Sequence, residues 1–330
     1  MTTLRKLLVG LGLVALTVPV GCGSKDATGT GGPGNEPTTT ETSTTTTSAA
    51  PRPVADQTAP KSTFGLAFHD NKLWIADFYG GQVLAADPST GEVLKRFKGD
   101  DGVSDEIDDV AIGPDGSVYW TGFNDGAIGR MSPANVSVVV AALPAGTNGI
   151  AFSPDGKLYV GRAVIGDGLW QIDPDAEKRE TLIAPALGNV NAFAVGPDGF
   201  IYGPRYGTGG KGALVKIDPR VDEPTVGTVT ELVAGFDGPI ATKLSADGTK
   251  AFVLSLPPAG KPALDEVDLK TRKITPLTAP LTPLVDNLAV APDGRIFVSA
   301  FNEPEVTVIL PDGTAKRIGI GTKAPPGPTK

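Results

Sequence analysis

A short motif of strand, Pro-Asp-Gly turn and strand recurs along this chain and sets the strongest limit on what it can fold into. Its clearest copy is Thr147 to Gly161, TNGIAFSPDGKLYVG. The turn returns as Pro114-Asp115-Gly116, Pro154-Asp155-Gly156, Pro197-Asp198-Gly199, Ala246-Asp247-Gly248 and Pro292-Asp293-Gly294, preceded by a degenerate His69-Asp70-Asn71. Apolar strands around such a turn read as a β-hairpin. A lone hairpin cannot bury its own apolar faces, so the copies must pack on one another.

The turn aspartates lie 45, 40, 43, 49 and 46 residues apart, which is the length of a four-stranded propeller blade. An aromatic follows each turn as Trp74, Tyr119, Tyr159, Tyr202, Phe252 and Phe297, suited to fill the wedge between neighbouring sheets. A third strand then ends in Asp-Pro or a relic of it, from Asp87-Pro88 to Leu310-Pro311, marking a turn into a fourth. The expectation is an all-β, six-bladed β-propeller with four-stranded antiparallel blades over residues 62–320. Each repeat runs from innermost to outermost strand, so the ring closes without strand exchange; a strand from residues 51–60 added to the last blade is the competing arrangement.

The flanks read differently. Residues 1–21 carry Arg5 and Lys6 and then an apolar run from Leu7 to Val20, the shape of a secretory signal. The Gly21-Cys22 junction resembles a bacterial lipoprotein cleavage site, with Pro19 where a Leu-like residue is usual. The resemblance implies lipidation of Cys22, the sole cysteine, and a protein lipid-anchored to a bacterial membrane and facing the cell exterior or periplasm. Residues 22–61 are rich in Gly, Thr, Ser and Pro and read as a disordered tether, with an r.m.s. span on the order of 35 Å. Residues 321–330 read as a flexible tail. One cysteine excludes an intramolecular disulfide and a thiolate zinc site. Without the signal segment, 27 basic residues face 37 acidic ones, which excludes nucleic acid and anionic lipid as partners of the propeller surface. Complete blades leave no need for a second chain, so a monomer is expected.

Candidate chemistry gathers near the start of the innermost strands, where the copies carry Asp108, Asn148, Asn191 and Asp286, with Phe64 and Ile240 in the other two. Around a central channel these side chains should converge at one mouth. Oxygen donors of this kind suit Ca2+ or another divalent cation. The same mouth should receive the ends of the second strands: Asp77, Asn124, Arg162, Arg205, Ser255 and Asn302. Arg162 and Arg205, in adjacent blades, are candidates to clamp an anionic ligand, with Asn124 and Asn302 beside them. The single histidine, His69, sits in a turn on the opposite face, away from any triad partner. Trp120 and Trp170 read as packing residues.

The segments TNGIAFSPDG (147–156) and DNLAVAPDG (286–294) resemble the blade motifs of the SMP-30/gluconolactonase-like propellers, and motifs of this kind also occur in NHL-type repeats. The resemblance implies a divalent metal at the channel mouth, with Asn148, Asn191 and Asp286 as ligands and an Asp as general base. The first-blade Glu of that family is replaced here by Thr63-Phe64, leaving Asp108 of the next blade as the substitute carboxylate. Gly113 to Met131 also resembles streptogramin lyases, which are seven-bladed and use a catalytic histidine; six repeats and the position of His69 oppose that reading. Two functions follow. One is a propeller that binds a small molecule, glycan or protein at its face. The other is a metal-dependent lactone or ester hydrolase in which Asp286 or Asp108 activates water.

Overall fold

In the computed structural model the structure describes residues 59–207, 211–220 and 229–321. The signal segment, Cys22, most of the tether and the tail beyond Gly321 lie outside them. Six four-stranded antiparallel sheets follow one another along the chain, each built from consecutive strands. In blade 1 the strands are Leu66–His69, Lys72–Asp77, Gln82–Ala86 and Val93–Lys98. The first strands of neighbouring blades touch, including blade 1 with blade 6, so the first strands ring the axis. The chain is a six-bladed β-propeller.

The turn chemistry accounts for the hairpins. Gly116, Gly156, Gly199, Gly248 and Gly294 all have positive φ, which only glycine adopts without strain, and the preceding Asp receives backbone or hydroxyl hydrogen bonds that close each loop. The degenerate first copy uses Asp70 and Asn71, both at positive φ. The six aromatics are all buried and do fill the wedges. Tyr119 meets Phe152 of the next blade edge-on with centroids 5.0 Å apart, and Phe297 stacks on Phe68 at 5.7 Å across the junction of blades 6 and 1.

Closure needs no shared strand among the described residues. Apolar side chains of blade 1 (Leu66, Ile75, Leu84) and blade 6 (Phe297, Val306, Val308) form one buried cluster. Thr63 adds a polar clasp: its hydroxyl is 2.7 Å from the Glu305 carbonyl and takes a 2.8 Å hydrogen bond from Ala300 N–H. Fully buried Asp77, expected at the rim, instead fixes the entering chain. It accepts from Ser62 N–H and Oγ, Lys61 N–H, Gly80 N–H and Gln82 Nε2. Lys61 and Ser62 are thereby docked on blade 1.

Candidate functional site

In blades 2, 3, 5 and 6 the innermost strand carries a bulge near its start. In blade 2 the pairing slips between Ile107 and Val110, in blade 3 near Asn148, and in blade 6 between Val285 and Leu288. An extra residue in one strand re-aims two successive side chains. Here those pairs are Asp108-Asp109 and Asp286-Asn287, and both turn toward the axis.

Asp109 and Asn287 form the centre of the molecule. Asn287 Nδ2 donates to Asp109 Oδ1 at 3.0 Å, joining blade 6 to blade 2 past blade 1. Asp109 also accepts from Val110 N–H at 2.8 Å and, in blade 3, from Ile150 N–H at 3.4 Å. Lys243 of blade 5 favours its charged form through space. A side chain that interacts with blades 3, 5 and 6 at once must lie on the axis. Blade 1 leaves room by carrying Gly65, where an added Cβ would sit 2.3 Å from the Asp109 Cα. The Asn287–Asp109 bond links the innermost strands of blades 6 and 2 across blade 1. Burial raises the Asp109 pKa, opposed by Lys243 and these hydrogen bonds.

Asp108 and Asp286, each one residue before a member of this bond, are close enough to repel. Burial first, then Asp286 and Asp109, holds the Asp108 carboxyl well above the usual carboxylate range. Burial and Asp109 push Asp286 up to about 7. Asn148 occupies the same register in blade 3, with its backbone carbonyl tied to Thr121 Oγ1 at 2.7 Å. Asp108 is 6% exposed and Asn148 5%, and neither side chain takes a hydrogen bond from the described residues. Asp286 is half-buried. Asn191, also half-buried, stands apart from this pair, lining a cavity of about 20 Å³ with Asn189, Tyr206 and Ile240.

The open polar mouth expected from sequence is covered. Phe64, in the place of the family's Glu, stacks on Phe78 at 4.5 Å and packs against Tyr79 and Phe301. With Phe123 these rings make an apolar plug over the blade 1, 2 and 6 side. The anion clamp expected of Arg162 and Arg205 is not formed. Arg162 spends its guanidinium on the Ala145 carbonyl (3.1 and 2.6 Å) and the Ile165 carbonyl, and lies over Trp170. Arg205 pairs with Glu231 of its own blade. Asn124 donates to Glu106, and Asn302 is exposed at the rim.

The donor chemistry at Asp108, Asp286 and Asn148 is oxygen only, as a hard cation requires. Among the described residues no three His, Cys, Asp or Glu side chains are placed to share one metal ion, so two carboxylates and an amide are the most that this mouth offers. The sequence reading passed over Asp109 and Asn287, although a signal existed. One position after the polar column the copies read Gly65, Asp109, Gly149, Ala192, Ala241 and Asn287, so two hydrogen-bonding side chains interrupt four small residues.

No family model matches the chain, and no curated protein matches it in sequence. Solved structures do. Virginiamycin B lyase from Staphylococcus aureus has a TM-score of 0.56 at 15% identity over 82% of this chain and 87% of that one. A gluconolactonase from Xanthomonas campestris has a TM-score of 0.51 at 16% identity, covering 63% of this chain and 74% of that one. Regucalcin from Agrobacterium tumefaciens, a calcium-binding protein, gives 0.51 at 20% identity over 65% and 74%. At such identities the likeness shows the propeller fold and leaves function to the site.

Proposed function

We propose that the chain is a surface-tethered, extracytoplasmic propeller of the binding class, which takes a divalent cation beside Asp108 and Asp286 and presents the rim of that face, outside the aromatic plug, to a small-molecule, glycan or protein ligand. The observation that carries this reading is the Asp108–Asp286 pair. Two carboxyl groups from different blades repel each other where burial disfavours charge, and no Lys or Arg of the described residues lowers the pKa of either. Such a pair is relieved by a shared proton or by a cation. Asn148 adds an amide oxygen at the same level, and Ca2+ suits this donor set. The calcium-binding regucalcin neighbour supports the choice.

The second reading is a metal-dependent lactone or ester hydrolase, favoured by the gluconolactonase neighbour and by a carboxyl near neutrality, the range a general base needs. A bound cation would supply Lewis-acid polarisation of the substrate carbonyl. In that reading Asp286 takes the proton of the attacking water. The plug of Phe64, Phe78 and Phe301 and the burial of Asp108 stand between a sugar-sized substrate and these groups, which ranks this reading second.

Calorimetry with Ca2+, Mn2+ and Zn2+ on the parent and on Asp286→Ala tests the first reading: binding should appear in the parent and be lost in the variant. No binding to either protein rejects it. A screen of aldonolactones and aryl esters, with and without metal, decides the second; metal-dependent turnover lost in Asp286→Ala would promote it. The membrane tether is tested by Cys22→Ala, which should release the protein from the membrane fraction.

A further inference from the structure

A separate cavity lies in the axial channel, with neither Asp108 nor Asp286 in its lining. It occupies about 500 Å³ of the axial channel, opens on the face of the Pro-Asp-Gly turns, and is lined by all six innermost strands. Its side chains are mostly apolar, with Phe68, Ile112, Phe152, Val195 and Val290 among them, but His69, Lys243, Ser245 and the strand backbone give its surface a polar share at least as large.

One position of the repeat explains why this space exists and what it contains. The residue paired with the conspicuous aromatic of each blade is Ala67 (to Trp74), Ala111 (to Tyr119), Ala151 (to Tyr159), Ala194 (to Tyr202) and Ala289 (to Phe297). In blade 5 the residue paired with Phe252 is Lys243. Five small side chains leave the ring open, Ala111 and Ala289 buried in the packing between blades and Ala67, Ala151 and Ala194 half-buried, while the sixth position carries an ammonium. All six residues line the cavity.

Lys243 is not absorbed by its surroundings. It is half-buried, and its Nζ makes one long hydrogen bond, 3.4 Å, to the Phe193 carbonyl. An ammonium has three donors, so two remain open. Asp109 feels its charge through space, but that carboxylate is already satisfied by Val110, Ile150 and Asn287 and makes no ion-pair contact with it. His69 stands exposed at the rim. A concave space of a few hundred Å³ lined by apolar side chains, polar backbone and one fixed charge has the make-up of a small-ligand site.

We infer that this funnel is a second binding site, for an elongated apolar molecule carrying one anionic head, a carboxylate or a phosphate monoester, held by Lys243 with its body against the ring of alanines. The site is distinct from the cation mouth, since Asp108, Asn148 and Asp286 are not part of its lining.

The test uses the full chain and three ten-carbon probes: decanoate, decyl phosphate and decanol. By calorimetry, one or both anions should bind at least tenfold more tightly than decanol, the size expected of one charge-assisted hydrogen bond. Lys243→Met, which keeps the stem and removes the charge, should erase that preference while circular dichroism stays unchanged. Which anion binds better names the head. Ala151→Phe narrows the ring without touching any charge and should abolish binding of all three probes. Equal binding of anions and decanol, an anion preference that survives in Lys243→Met, or unaltered binding in folded Ala151→Phe would each overturn the inference. A role limited to neutralising Asp109 predicts a different pattern: Lys243→Met loses stability, Asp109→Asn restores it, and no probe discriminates.

Discussion

At the scale of single residues, the interior of this propeller is governed by which side chains may approach the axis. Gly65 is there because any Cβ would collide with the backbone of Asp109. Gly65→Ala should cost about 1–3 kcal/mol, the range for overpacking a filled interior. Gly99→Ala, with nothing within 4 Å of its added methyl, should be neutral or stabilise by about 0.4–1 kcal/mol. Urea unfolding of the two variants checks the contrast, and equal effects would refute the steric account. Titration gives a second residue-level prediction. Asp286 holds its proton more tightly in the folded protein, up to about pH 7, than in the unfolded chain, where a carboxyl titrates near pH 4. Its stabilising contribution is therefore complete below about pH 4 and is lost as pH rises through about 7. With chelator present, the urea midpoint should fall between pH 5 and pH 8, and Asp286→Asn should flatten that fall. Turn carboxylates act oppositely at lower pH: Asp247, lowered to about 2 by Ser245 and Thr249, withdraws its support only in strong acid.

At the scale of strands, the blades were readable because the hairpin is a local device. Turn residue, glycine at positive φ and paired aromatic all fall within about ten residues, so their spacing carried the fold, the number of sheets and the order of strands. The site was legible only in part. The column of Asp108, Asn148, Asn191 and Asp286 was visible in the repeat, but two facts depend on contacts between distant blades. The bulges turn a second residue of each pair inward, and Phe64 gathers an aromatic cover whose members are up to 237 residues apart in sequence. The arginines misled for a similar reason, since their carbonyl and Glu231 partners come from loops and outer strands that lack a repeat pattern. Outer strands also differ in how they guard their free edges. Those of blades 1, 3, 4 and 6 carry charge, as in Lys95, Glu180, Glu231 and Lys316, and that of blade 5 carries Pro276. The strand Ser137–Ala142 of blade 2 has neither, and Val136, Val138 and Val139 around it are 60%, 41% and 51% exposed. Uncharged β-branched edges recruit other strands. Val139→Lys should lower light scattering on heating while shifting stability by less than about 0.5 kcal/mol. Unchanged scattering would show that the bulge at Val140 and its Arg179 contact already protect this edge.

At the scale of the whole molecule, the ring is closed by side-by-side packing of complete sheets and by Thr63. Thr63→Val keeps the shape but removes the hydroxyl that serves Ala300 N–H and the Glu305 carbonyl, leaving buried groups unpaired. The expected loss is about 1–3 kcal/mol, read as a lowered urea midpoint, and faster opening of amide hydrogens in blades 1 and 6 than in blades 3 and 4. Uniform exchange around the ring would mean that the clasp is not its weak point. Since every sheet is made from one uninterrupted length of chain, and Gly321 lies beside Pro60, the geometry of the ring does not fix which blade comes first in sequence. A circle of self-contained units has no privileged first member, and joining its two ends while cutting any other inter-blade connection describes the same solid object.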